Sequence, residues 1–284
     1  MNRVISTSDA ARISLPAARL AIAAAAATLL LLASLRVLSP EFDPSWRMVS
    51  EYAYGHYGWV LSLLFVAWGV SSWALAVALR SEAKTRPVKL GLVLLTLAGV
   101  GEAMAAVFDI NHDTLHSLAG ALGMLGLPIA ALLISVNLGR TDPWSVAKRT
   151  LLWTANLTWV SVALLAATFV LLIATFSRVA GGLPAHAPTV LPPGVIGLVG
   201  WANRLLVVVY CVWVITVAWQ AITLRGTENP ARSRSERDGL LGSVSPRWRT
   251  VTHSAGGNAA GSGTPADNEA ATRACTQQQG ALDM

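Results

Sequence analysis

Charge is what this sequence has least of. Only 13% of its 284 residues are Asp, Glu, Lys or Arg, roughly half the share of a typical soluble domain. Hydrophobic residues make up 54% and the mean hydropathy is +0.54, which excludes an ordinary water-soluble globule. Cysteine is scarce as well. The two present, Cys211 in an apolar run and Cys275 in a polar tail, cannot build a disulfide framework. Acidic residues number 15 against 21 Lys and Arg, yet the basic residues avoid the apolar runs. The excess therefore reads as membrane topology rather than a nucleic-acid surface. Five Phe and four Tyr stand against eleven Trp, a balance suited to anchoring at membrane–water interfaces. Phosphate-binding glycine loops and dinucleotide fingerprints are absent, and no cofactor is expected.

What is present is a set of six apolar runs, at about 17–38, 57–79, 88–108, 115–138, 151–176 and 194–224. Each is long enough to cross roughly 30 Å of hydrocarbon at about 1.5 Å per residue. Runs this long without alternation mean helices, because backbone groups in lipid must be satisfied within the segment. The expected fold is an all-α, six-transmembrane-helix bundle. The first run follows Arg3, Arg12 and Arg19 as a signal peptide would. Its length, and Arg36-Val37-Leu38 where a cleavage site would need small residues, make it a retained helix.

Seventeen of the 21 Lys and Arg fall on one side of this arrangement: the N-terminus, the second-to-third and fourth-to-fifth loops, and the tail. The positive-inside rule then places both termini in the cytoplasm of a multi-pass cell-membrane protein. Three segments result: a cytoplasmic N-terminal segment (1–16), the membrane domain (17–224) and a tail (225–284). The tail is rich in Gly, Ser, Thr, Gln and Arg. It lacks the apolar surface to offset its ordering entropy, so it is expected to be disordered.

Polar residues collect on the opposite, outer side. Glu41, Asp43, Arg47, Ser50, Glu51, Tyr52, Tyr54 and His56 lie between the first two helices. Asp109, His112, Asp113 and His116 surround the third-to-fourth turn, and Arg178 and His186 lie near the last outer loop. Two ionisable residues fall within the spans, Glu102 in the third and Arg204 in the sixth. A charge near the bilayer centre costs about 2.5–3.5 kcal/mol on insertion scales and normally finds a partner. Glu102 and Asp109, seven apart, share a face of one continuous helix, and either can meet Arg204. The result would be an ion pair clamping the third and sixth helices, or a substrate or head-group site. His116, Gly120 and Gly123 also share a face, which puts His116 at the mouth of a glycine-lined helix seam.

Catalytic and metal-binding alternatives are weaker. His112 and His116 are spaced i, i+4, as are Asp109 and Asp113, but both pairs straddle the expected turn, so no metal is expected. Ser50, His116 and Asp109 contain the types needed for a nucleophile, base and orienter, a trio that most polar membrane loops offer. Haem held by His56 and His116 would need them facing each other mid-bilayer, whereas both lie at helix ends.

Several short motifs resemble the domain of unknown function 998 family of six-helix membrane proteins. They are Val49-Ser50-Glu51-Tyr52 after the first helix, Val107-Phe108-Asp109 ending the third, and His116 with Ala119-Gly120-Ala121 opening the fourth. Gly200-Trp201-Ala202-Asn203-Arg204 follows in the sixth. The chain departs from the family where a Pro usually follows the third-helix aromatic and Asp109-Ile110-Asn111 stands instead. The family is distantly similar to the Frag1/DRAM/Sfk1 group, tied to lipid or membrane homeostasis. By resemblance, Ser50, Glu51, Asp109, His116 and Arg204 are the positions to single out.

The expectation is an outer polar pocket of Glu102, Asp109, His116 and Arg204, lidded by residues 50–56, with Ser50 and Glu51 among its ligand-binding residues. Its expected role is non-enzymatic: binding or organising lipid head groups, with Arg204 the partner for a phosphate. The alternatives are a small-solute or ion transporter using Glu102 and Arg204, and an outer-face hydrolase using His116 as general base. Membrane lipids are the expected partners, without nucleic acid; a homo-oligomer is left open.

Overall fold

A computed structural model describes residues 13–182, 188 and 190–242 of the chain, with side chains described through residue 224 except that of residue 113. Most of the N-terminal segment, the tail beyond Gly242, and His186 lie outside the described residues. Six helices are long and apolar enough to cross a membrane. They are α1 (Leu15–Leu38), α2 (Gly58–Ala78), α3 (Arg86–Val107), α4 (Asp113–Leu138), α5 (Lys148–Ala180) and α6 (Val199–Gly242). Among the described residues there is no strand. The protein is an all-α, multi-pass integral membrane protein.

Local chemistry places the helix ends. Pro16 and Pro87 occupy the first turns of α1 and α3, where the missing N–H has no helical partner to lose. The last helix begins at Val199, later than the 194 expected, because Pro192 and Pro193 precede Gly194 with its φ of 90°. Gly194 and Gly197 therefore belong to the connection and not to a helix face. Arg204 lies five residues into α6, in its second turn. The apolar span of α6 ends at Leu224, and the helical backbone continues through Gly242.

Helices adjacent in sequence pack together from α1 to α5. The sixth helix is bound to the second and fourth by its aromatic residues. Tyr210 Oη donates to the Met124 carbonyl at 2.6 Å, and Trp213 Nε1 donates to Ser135 Oγ at 3.1 Å. The Trp68 ring of α2 meets Tyr210 edge-on at 6.0 Å. Small residues let α3 and α4 touch backbone to backbone. A Cβ on Gly101 would stand 2.6 Å from the Ala119 carbonyl oxygen. Gly120 meets nothing within 4 Å, so the expected seam of His116, Gly120 and Gly123 is not the contact; Gly101, Gly123 and Gly126 make it. Helix α5 is the least enclosed, and Trp153, Val160 and Val170 point outward from it.

The connections α1–α2, α3–α4 and α5–α6 share one side of the domain, here the distal face, because each span reverses the chain. Four of the six expected site residues lie in or beside these connections: Ser50, Glu51, Asp109 and His116.

Candidate functional site

The α1–α2 connection folds over the start of α6, and two of the sequence motifs are each other's partners. Residues Val49–Tyr54 form a 3-10 turn. Its first amide, Val49 N–H, donates to Asn203 Oδ1 at 2.9 Å, and Gly200 N–H donates to the Ser45 carbonyl at 2.9 Å. Gly200 is required by this approach: a Cβ there would lie 2.5 Å from the Pro44 carbonyl oxygen and 2.6 Å from that of Arg47. The connection has a small core of its own, with Phe42 and Tyr52 rings 5.1 Å apart and Trp46 and Val49 buried beside them.

Arg204 is the centre of this junction. Its side chain is buried, with 9% of the residue exposed. Nη1 donates to the carbonyls of Arg47 at 2.8 Å, Gly200 at 3.0 Å and Pro44 at 3.2 Å, and Nη2 donates to Tyr52 Oη at 2.9 Å. No ion pair to a carboxylate forms at Arg204 among the described residues, so the expected clamp to Glu102 or Asp109 is not the arrangement. Backbone carbonyls take the place of the counter-ion. A guanidinium carries five N–H donors; the two on Nη1 are shared among three carbonyls and one on Nη2 goes to Tyr52, so Nε–H and the other Nη2–H have no acceptor among the described residues.

Arg204 also lines a groove of about 360 Å³ between α1 and α6, together with Leu29, Leu32, Ala33, Arg36, Trp201 and Val208. Asp43 stands near the two arginines. The Ser45 amide and hydroxyl, at 2.9 and 2.7 Å, hold its carboxyl below the usual carboxylate range, and the guanidiniums of Arg36 and Arg204 add to the pull.

The remaining candidates are dispersed. Glu51 pairs with Arg47 at 2.8 Å, and Arg47 also donates to the Pro188 carbonyl. Ser50 sits half-buried on the same turn. Glu102 lies inside the bundle, 3% exposed, with Oε2 accepting from Ser72 Oγ at 2.8 Å and Oε1 without a hydrogen-bond partner among the described residues. Helix α3 stops at Val107, so Asp109 does not share its face. Asp109 accepts from the Asn111 amide and side chain at 3.0 Å and from His112 Nδ1 at 3.2 Å. The Asn111 bonds foremost hold its carboxyl below the ordinary value. His116 Nδ1 bonds the Phe108 carbonyl at 2.9 Å, and His56 stands edge-on to Tyr57.

No hydrogen bond or ion pair joins any two of Glu102, Asp109, His116 and Arg204 among the described residues. Ser50, Asp109 and His116 likewise share no hydrogen bond. The segment 50–56 caps α6 rather than the third-to-fourth turn. Tyr52, Asn203, Ser72 and Arg36 were not expected as partners. Asn203 and Tyr52 lie within the quoted motifs, whereas Ser72 is one hydroxyl in an apolar run and carries no signal.

The family model described as "Protein of unknown function (DUF998)" matches residues 21–220, a stretch that contains all six of these candidates. No curated protein and no solved structure matches the chain.

Proposed function

The chain belongs to the DUF998 family, whose description assigns no role, and from its own residues we propose that it binds lipid head groups at the distal face. In this reading both termini are cytoplasmic, as the Lys and Arg distribution indicates, and the distal face meets the outer leaflet of the cell membrane. The observation that carries it is Arg204. A guanidinium held by backbone carbonyls pairs with no carboxylate among the described residues and has two N–H donors to spare at the edge of a lipid-facing groove. Such a group recognises planar anionic oxygens. The binding is non-enzymatic. Native mass spectrometry of the detergent-solubilised wild type, supplied with a mixture of phospholipids, is expected to show a discrete adduct of one lipid per chain. A bare protein mass at every lipid concentration overturns the reading.

A second reading, transport of a small ion, is supported by Glu102. A buried carboxyl with one oxygen unpartnered among the described residues is costly inside a membrane helix, and such groups mark ion pathways and proton relays. Glu102→Gln preserves the shape and the Ser72 contact. It is expected to abolish proton flux into liposomes, read by an entrapped pH-sensitive dye, while the melting temperature stays within a few degrees. Flux equal to wild type removes this reading.

A further inference from the structure

The groove between α1 and α6 has one polar end and one apolar end. Arg36, in the last turn of α1, and Arg204, in the second turn of α6, stand at the distal end. Leu29 and Leu32 from α1 and Val208 from α6 wall the remainder. Leu29 precedes Arg36 by seven residues, so this wall runs about 10 Å toward the membrane interior. Trp201, half exposed at the rim, has an amphipathic ring suited to the head-group level. The volume of about 360 Å³ is within the range of about 300–1,000 Å³ usual for ligand sites.

The two arginines differ in what they already do. Arg204 is fixed by four hydrogen bonds. Arg36 is exposed and makes no hydrogen bond or ion pair among the described residues. One is a rigid anchor and the other a free arm. Asp43, on which both arginines act, accepts from the Ser45 amide and hydroxyl through Oδ1. Two guanidiniums and one carboxylate leave a net charge of about +1 at this end, counting each at its ordinary ionisation state. That matches one singly charged phosphodiester.

We propose that this groove seats one anionic phospholipid of the phosphatidylglycerol class, its phosphodiester between Arg36 and Arg204 and an acyl chain along Leu29, Leu32 and Val208. This rests on the lipid-binding reading above and adds to it the site, the lipid class and a role for Arg36. Apolar walls alone would fit any lipid tail; charge complementarity at the distal end selects this occupant.

The test is native mass spectrometry with equal amounts of phosphatidylglycerol and phosphatidylcholine, each variant's fold checked by thermal melting. The wild type is expected to retain one phosphatidylglycerol in preference to phosphatidylcholine. Arg36→Gln, at an exposed and unbonded position, is expected to weaken retention by about tenfold or more, the scale of one charge-assisted hydrogen bond. Ala33→Trp fills the groove from an exposed helix position and is expected to remove the adduct. Val170→Trp, with similar added bulk on the outward side of α5, leaves it unchanged. Wild-type retention by Arg36→Gln or by a folded Ala33→Trp overturns the groove assignment, as does equal retention of both lipids; in each case lipid is bound elsewhere and the broader reading stands. A wild type that retains neither lipid overturns both.

Discussion

Arg204→Ala is expected to destabilise the protein by at least about 3 kcal/mol, since hydrogen bonds to a charged group contribute about 1.5–3 kcal/mol each and the acceptors left behind add a desolvation cost. The Pro44 and Arg47 carbonyls and the Tyr52 hydroxyl all lose a donor. Buried polar groups left without a hydrogen-bond partner are costly. Melting followed by tryptophan fluorescence in detergent measures the loss. Arg204→Lys keeps the charge but presents a compact ammonium in place of a planar fork, so it should recover only part of the stability. Exchanging the residues at 102 and 204 discriminates this junction from an ion pair between them. The exchange restores nothing, because a carboxylate at 204 faces carbonyl oxygens and a guanidinium at 102 faces Ser72. Recovery on exchange, or an Arg204→Ala protein that melts like the wild type, contradicts the arrangement.

Gly200→Ala is the second substitution with a large expected effect, and its sign is informative. Within a helix, replacing Gly by Ala ordinarily adds up to about 1 kcal/mol of stability. At position 200 the new Cβ would lie 2.5 and 2.6 Å from two carbonyl oxygens and 2.9 Å from the Trp46 amide nitrogen, all backbone atoms that no rotamer change can move. The connection must lift from α6. Lifting it stretches the Asn203 and Arg204 bonds as well, so a loss of about 2–4 kcal/mol is expected, on the scale of severe overpacking and broken buried networks. Limited proteolysis should show cleavage between residues 39 and 57 at protease levels that leave the wild type intact. Gly120→Ala is the matched control: nothing lies within 4 Å of its Cβ position, so it should be neutral or stabilising. Equal stability of the Gly200→Ala and Gly120→Ala proteins contradicts the close approach.

The six helices were legible in the sequence because hydrocarbon imposes one demand on every span, length without charge, and composition reports it directly. Helix ends were less so. The run at 194–224 looked helical from its first residue, although Pro192, Pro193 and Gly194 already contained the signal for a later start. The candidate site was legible as a set of residues and illegible as a set of contacts. Arg204 was expected to seek a carboxylate, since side chains are the partners a sequence displays. Its true acceptors are main-chain carbonyls of Pro44, Arg47 and Gly200, present at every position and distinguished by none. The same limit explains His116, which bonds the Phe108 carbonyl, and Asp109, whose partners Asn111 and His112 are its sequence neighbours rather than distant charges. Tyr52 and Asn203 are opposite halves of one junction, and their adjacency to Glu51 and Arg204 in short motifs was the only trace of it.

The junction joins groups 152 to 160 residues apart, the first connection between membrane helices to the last membrane helix. During synthesis the α1–α2 connection emerges on the distal side long before α6 exists. Its carbonyls and the Tyr52 hydroxyl then face water, and they are covered only when Arg204 arrives with the final span. The connection therefore completes its bonding only when the last span is in place.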